Sequence, residues 1–547
     1  MTIGLVLVIA WGAVAFRLVQ VQVVRAEAFA DDALSQRLRS VVVPGPRGSI
    51  FDRDGDALAL SVQGAAVTAN PREISNLEET AQVLAAELGV GVDELRAKLA
   101  EEGSFVYLQR QLEPAEAAPI QALDLPGIYV LPEPIRVYPQ SNLAAHVLGF
   151  VGVDHAGLDG LEYKFDEELT GTPGGLEFEV SPGGEQIPSG RFHRVDSQSG
   201  RDLVLTIDSQ LQYWAEEELA AAVKASGGKA GSVVIMQPTT GAVLALANFP
   251  GFDPNQPGTA APDHLRNRAV TDTYEPGSTA KLITVSAALA EAKVEPTRLF
   301  SVKDQIEVED RKYRDFTPHE EALWDVNRIV GKSSNVGTIL IYQQLGDPLL
   351  FRYLRAFGLG YPTEVDLPAE ESGHLDPVSS WCGPCGASTA IGYRVSVTPL
   401  QMTAAFSAVA NQGVWRQPYV VERIGDEPTG GRRQQRVLAD DVAVVVRTML
   451  GGVITEGTGA AAAVPGYAVG GKTGTTNKYE PELGGYGEDV VASFIGMAPL
   501  ENPAVVIGVF IDSPSAKRQD TGGSIAAPLF SRIASYALGQ LGVAPNA

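Results

Sequence analysis

Residues Met1 to Phe16 carry no charge and are mostly apolar; Arg17 interrupts the run, and Leu18 to Val24 continues it. About 20 apolar residues span the hydrocarbon core of a bilayer. The stretch is therefore long enough to be a transmembrane anchor over residues 1–24, with Arg17 snorkelling toward one interface. Two other readings stay open. A secretory signal would be removed at a small-residue site such as Ala26-Glu27-Ala28, and a buried helix would put the run inside a core. With the anchor, everything downstream is expected to be extracytoplasmic.

Composition narrows the rest. The chain has 547 residues, 45% of them hydrophobic, enough for two to four domains with substantial cores. Its formal net charge is -24, from 66 acidic and 42 basic residues, which opposes phosphate backbones and sets nucleic-acid binding aside. The two cysteines, Cys382 and Cys385, exclude a disulfide-rich scaffold.

The texture changes near residue 200. Before it, Gly48 to Leu60 reads as a hairpin around an Asp-Gly turn, and Glu78 to Glu102 has helical periodicity through Leu84, Leu88, Leu95 and Leu99. After it, Asp202–Asp208 reads as a strand and Ser209–Lys224 as a helix. Gly231–Gln237 and Ala242–Asn248 read as a hairpin, and Val505–Ile511 as a buried strand. Strands alternating with alanine-rich helices predict one α/β or α+β domain beyond residue 200.

The chemistry concentrates in three short motifs. Glu275-Pro-Gly-Ser278-Thr-Ala-Lys281 opens an apolar helix, Leu282 to Ala290. Lys281 then sits almost one turn from Ser278 on the same face. A neutral lysine there can take the hydroxyl proton, which a serine needs to become nucleophilic. The helix start adds N–H groups for a developing oxyanion. Alone, S-x-x-K is weak: most occurrences are a helix cap and a surface lysine. Ser333-Ser334-Asn335, expected inside a helix running to Leu345, and Lys472-Thr473-Gly474-Thr475 change its weight. Ser333 can relay a proton between Lys281 and a leaving amine, and Asn335 can hold a substrate backbone. Lys472 adds positive charge beside the nucleophile. Gly474 leaves room for substrate along a strand edge, and the Thr473 and Thr475 hydroxyls can bind a carboxylate. The N–H groups of Ser278 and Thr475 would form the oxyanion hole.

S-x-x-K, S-x-N and K-T-G in this order resemble the signature of penicillin-binding proteins and serine β-lactamases. The resemblance to class B penicillin-binding proteins covers nearly the whole chain. Arg47, Gly48, Asp52, Arg53 and Gly55 match an N-terminal family signature. Arg136-Val-Tyr-Pro139, His146, Gly149 and Gly160-Leu-Glu162 match later ones, read as turns and ion pairs. The resemblance implies an α+β fold. A transmembrane helix (1–24) and an elongated, dimerisation-type pedestal (25–200) precede a transpeptidase domain (201–540) with a central antiparallel sheet and helices. It implies peptidoglycan D,D-transpeptidation: Ser278 acylated by a donor stem peptide, resolved by a neighbouring amine, and blocked by β-lactams. No cofactor or metal is implied. Ser-Ser-Asn-Val-Gly (333–337) is similar to the division-specific, FtsI-type branch, which implies septal synthesis with an FtsW-type SEDS glycosyltransferase and other division proteins as partners. An elongation-specific transpeptidase is the alternative. A β-lactam sensor and an inactive division scaffold are the remaining classes; the complete motif set argues against the scaffold. Trp381-Cys-Gly-Pro-Cys385 matches a thioredoxin motif without the strand before it that such a unit needs, so a local disulfide or a free pair shaping a loop is expected instead.

Overall fold

The computed structural model describes residues 2–26, 29, 37–181, 187–480, 484–515 and 521–546. Helix α1 (Thr2–Val19) runs on through one π-helical stretch, Gln20–Val24. Ile3–Val24 is, among the described residues, the one helix long and apolar enough to cross a membrane, and none of it is buried in the protein. That excludes the buried-helix reading. Glu27 and Ala28 of the cleavage-site alternative lie outside the described residues.

The chain forms two compact units. One comprises Met1–Gly48, Ser61–Ile135 and Glu168–Arg201; the other comprises Ser49–Leu60, Arg136–Glu167 and Asp202–Ala547. This differs from a single cut at residue 200, because two N-terminal segments pack with the C-terminal body. Ile50 and Phe51 pair in parallel with Leu203 and Val204. The buried Asp52 carboxylate accepts from the Ser209 hydroxyl at 2.7 Å. The Tyr138 and Ala144 N–H groups, both at 2.9 Å, reach Asn255 and Glu216.

In the first unit an antiparallel sheet joins Leu38–Val43, Gly174–Glu179 and Phe192–Val195. A separate apolar core gathers Val67, Leu84, Leu88, Leu95, Leu99, Leu108 and Ile120. The periodic stretch 78–102 is two helices rather than one, Leu77–Leu88 and Val92–Leu99. Gly89 in left-handed backbone (φ 66°) ends the first, and Gly91 in extended backbone starts the second.

The second unit is built on five antiparallel strands: β1 (Ala230–Met236), β2 (Val243–Phe249), β3 (Gly470–Glu480), β4 (Gly485–Ala498) and β5 (Val505–Asp512), in the order β2-β1-β5-β4-β3. Helices α2 (Ser209–Ser226) and α7 (Ala527–Gln540) pack on it through Leu211, Leu219, Phe494, Ile507, Leu529 and Phe530. Helix α3 (Lys281–Ala290), α4 (Asn335–Leu345), the wholly buried α5 (Pro399–Ala410) and α6 (Asp440–Thr455) form the helical part. Its core unites Val285, Trp324, Ile329, Val336, Ile341, Met449 and Val453. The expected hairpins at 50–60 and 230–249, the helix from Ser209 and the strand to Ile511 are all present. The polar stretch 425–436 carries two short strands, Glu427–Pro428 and Gln434–Arg436.

Candidate active site

Backbone pairing fixes the segment that carries Ser278. Tyr274 exchanges N–H···O bonds with Val397, and the Gly277 N–H reaches the Gly392 carbonyl at 3.0 Å. Gly277 lies at φ 51°, where a Cβ would come within 2.3 Å of the Thr476 hydroxyl, so glycine is required. Gly277–Thr279 forms a 3-10 turn, the Thr279 hydroxyl donates to the Pro276 carbonyl at 2.7 Å, and α3 begins at Lys281. Ser278 is therefore held, half-buried, at a helix start.

Lys281 is 2% and Lys472 1% exposed. Lys281 Nζ donates to the Ser333 carbonyl at 2.5 Å; Lys472 Nζ donates to Ser333 Oγ at 2.7 Å and to the Thr473 carbonyl at 3.2 Å. Ser333 thus ties the first motif to the third. Burial pushes Lys281 down to about 7, against the pull of the Asp315 charge. Burial, reinforced by Lys281, also holds Lys472 well below the usual lysine range. Desolvation disfavours an ammonium and like charges disfavour each other, so a lysine here is poised to exist as a neutral amine.

The second motif departs from its expected setting. Ser333 lies outside any helix, at φ 58°, between the helix Val326–Gly331 and α4. Ser334 is the N-cap of α4, its hydroxyl accepting from the Gly337 N–H at 2.8 Å. The turn lets one residue offer its carbonyl to Lys281 and its hydroxyl to Lys472. Asn335 opens α4 and donates to the Arg314 carbonyl at 2.7 Å.

On β3, Lys472 and Gly474 share one face and Thr473 and Thr475 the other. A Cβ on Gly474 would lie 2.4 Å from Ser493 Oγ and 3.1 Å from Thr279 Cγ2. Its lack of a side chain thus admits β4 and the segment that carries Ser278. Thr473 is buried against the Thr458 hydroxyl at 2.8 Å. Thr475 Oγ1 accepts from the Gly522 N–H at 3.0 Å, leaving its O–H to donate outward. Sequence reading missed Asp315, Thr458, Gly392 and Gly522. Of these, only Gly392 carries a local cue, as a glycine just past the end of a short helix, Cys385–Ala390.

Residues 231–535 match the penicillin binding protein transpeptidase domain, and residues 42–205 match the penicillin-binding protein dimerisation domain. The chain belongs to the penicillin-binding protein transpeptidases. Among this family's curated members, it is 34% identical to penicillin-binding protein PbpB of Mycolicibacterium smegmatis over 96% of this chain and 87% of that protein. It is 32% identical to peptidoglycan D,D-transpeptidase FtsI of Escherichia coli over 97% and 90%. Among solved structures, penicillin-binding protein 3 of Mycobacterium tuberculosis complexed with aztreonam superposes with a TM-score of 0.73 at 30% identity, covering 93% of this chain and 98% of that one. With dimerisation and transpeptidase regions on one chain, this is a class B penicillin-binding protein, a serine-type peptidoglycan D,D-transpeptidase, and the α+β fold expected from the sequence is the one present.

Cys382 and Cys385 of this penicillin-binding protein are joined by a disulfide. A 3-10 turn, Val378–Ser380, precedes it and a short helix, Cys385–Ala390, follows. No strand leads into the pair, so the thioredoxin-like string sits in a loop setting.

Proposed function

We propose that Ser278 is the acylated nucleophile and Lys281 the base that activates it. What carries this reading is the placement of a buried lysine, depressed to about 7, one helical turn from a serine at the start of α3. In the reaction, Ser278 Oγ attacks the carbonyl of the penultimate D-alanine of a donor stem peptide, and its proton passes to Lys281. The N–H groups of Ser278 and Thr475 receive the oxyanion. The proton returns to the departing D-alanine amine by way of Ser333 and Lys472, which share one hydrogen bond. An acceptor amine then attacks the ester, breaks the bond to Ser278 Oγ and gives up a proton to that oxygen, leaving the amide cross-link and free Ser278. Asn335 holds the donor backbone through its carboxamide, one of whose two N–H groups is engaged with the Arg314 carbonyl. Lys472 with Thr473 and Thr475 sets the electrostatics of the carboxylate end; Thr475 makes the direct contact, and Gly474 keeps β3 closely packed.

β-Lactams, which bind the aztreonam-complexed relative, would acylate the same serine. The apolar α1 supports a single-pass anchor with the transpeptidase outside the cytoplasm. Septal synthesis is the favoured role, supported by Ser-Ser-Asn-Val-Gly at 333–337. Cross-linking needs new glycan strands, and no glycosyltransferase signature occurs in residues 25–200, so an FtsW-type SEDS polymerase is the expected partner, alongside other division proteins.

Mass spectrometry after β-lactam treatment tests the assignment. Wild type should gain one adduct, mapped to Ser278; Ser278→Ala should stay folded and gain none. An adduct persisting on the alanine variant would sink the assignment.

A further inference from the structure

We propose that Asp315, held in place by His319, is a positioning residue for acylation: it fixes the turn that presents Ser333 and Asn335, and it supplies the negative charge felt by Lys281. This rests on the reading of Lys281 as the base.

The Asp315 side chain is 6% exposed. Its Oδ1 accepts from the Val336 N–H at 2.9 Å, and its Oδ2 accepts from the Ser334 hydroxyl at 2.6 Å. The preceding residue, Arg314, accepts from Asn335 at 2.7 Å. Two consecutive residues therefore grip Ser334, Asn335 and Val336, the three residues that follow Ser333. The grip has work to do, because Ser333 sits in left-handed backbone at φ 58°, a conformation that persists in a non-glycine residue only when its surroundings hold it. Ser333 is also the residue through which Lys281 and Lys472 meet.

His319 holds the carboxylate from behind. Its Nε2 lies 3.0 Å from Asp315 Oδ2 and its Nδ1 2.8 Å from the Glu320 carbonyl. Both partners are acceptors, so both contacts exist together only when both ring nitrogens carry hydrogen, which makes the ring an imidazolium. The ring stacks on Trp324 with centroids 4.4 Å apart, and the Arg328 guanidinium lies near the same indole, 5.4 Å from its ring centroid. Asp315 and, more remotely, Asp304 face it with negative charge, while Lys303, Lys312, Glu320 and Glu321 line the adjoining cleft. Hydrogen bonds to Glu320 and Asp315 raise the ring's affinity for a proton against its burial. Loss of that proton removes one of the two bonds and loosens the carboxylate.

A merely structural Asp315 would affect stability alone. A positioning Asp315 also moves the pH profile of acylation, because removing its charge lets Lys281 lose its proton at lower pH. The test is the second-order rate constant for acylation by a chromogenic β-lactam, followed against pH for wild type, Asp315→Asn and His319→Gln, with melting temperatures alongside. Asp315→Asn should slow acylation at its optimum on the order of tenfold or more, as misplaced catalytic groups do, and displace the acidic limb to lower pH. His319→Gln keeps the carboxylate and should slow acylation less, with the largest deficit on the acidic side, where the imidazolium holds Asp315 in wild type. Wild-type rates and an unmoved limb in His319→Gln, together with either an unmoved limb or an unfolded chain for Asp315→Asn, would overturn the inference. Failure of wild type to acylate at Ser278 would instead refute the functional reading beneath it.

Discussion

Two clusters of buried charge in the same unit meet opposite solutions. Arg136 and Glu162, with side chains 1% and 0% exposed, pair at 2.7 Å, and Tyr138 donates to the same carboxylate at 3.3 Å. Lys281 and Lys472 are as deeply buried, yet the atoms they bond are neutral oxygens of Ser333 and Thr473. Opposite charges compensate each other's desolvation and hold two chain segments together. Like charges cannot, and the least costly response is to release a proton. The first arrangement is a structural clamp; the second leaves a residue that is ordinarily an acid at neutral pH poised to exist as a neutral amine.

The sharpest way to break this contrast is to neutralise each cluster in turn. Lys281→Met removes the base while keeping an apolar stem of similar length. Acylation by a β-lactam should fall about 10³-fold or more, while the melting temperature holds or rises because a buried amine has gone. Acylation within tenfold of wild type would mean the proton goes elsewhere. Arg136→Met should do the reverse. It leaves Glu162 buried without its guanidinium, so unfolding by denaturant should show a loss of about 3–5 kcal/mol, with acylation of the folded fraction near the wild-type rate. Intact stability would show that the pair is no clamp.

A smaller effect is expected at the disulfide, which closes a very short loop. Cys382→Ser with Cys385→Ser should cost about 2 kcal/mol by loop-closure entropy and leave penicillin labelling within a few-fold. Complete loss of acylation in a folded double variant would bring the disulfide loop into the catalytic account.

These effects fall on residues of unequal legibility. Ser278 and Lys281 could be read because helical spacing is local: three positions put the two residues almost one turn apart on one face. Lys472 could be read because a strand with K-T-G has few uses. The strands and flanking helices beyond residue 200 were likewise visible in alternating texture, whereas the antiparallel order of the sheet followed only from the family resemblance. The conformation of Ser333 was not visible, since its left-handed backbone is held by partners distant in sequence. Asp315 was invisible for the same reason; it lies in a polar stretch without periodicity and acquires its role only when α4 is set beside it. The interleaving of residues 49–60 and 136–167 with the C-terminal body also escaped a linear reading, because it rests on contacts such as Asp52 to Ser209 and Tyr138 to Asn255. The cysteine pair stayed open between a bond and two thiols, since spacing alone permits both.

If burial turns Lys281 into a base near neutral pH, the pH dependence of wild-type acylation reveals it. With Lys281 pushed down to about 7, the amine is protonated and inert at lower pH and becomes competent as pH rises. The second-order rate constant should therefore climb about tenfold per pH unit below the midpoint and level off above it. The Lys281→Met variant should retain no such limb. A profile flat from about pH 5 to 9, or a midpoint near the ordinary lysine value of about 10.4, would contradict the account.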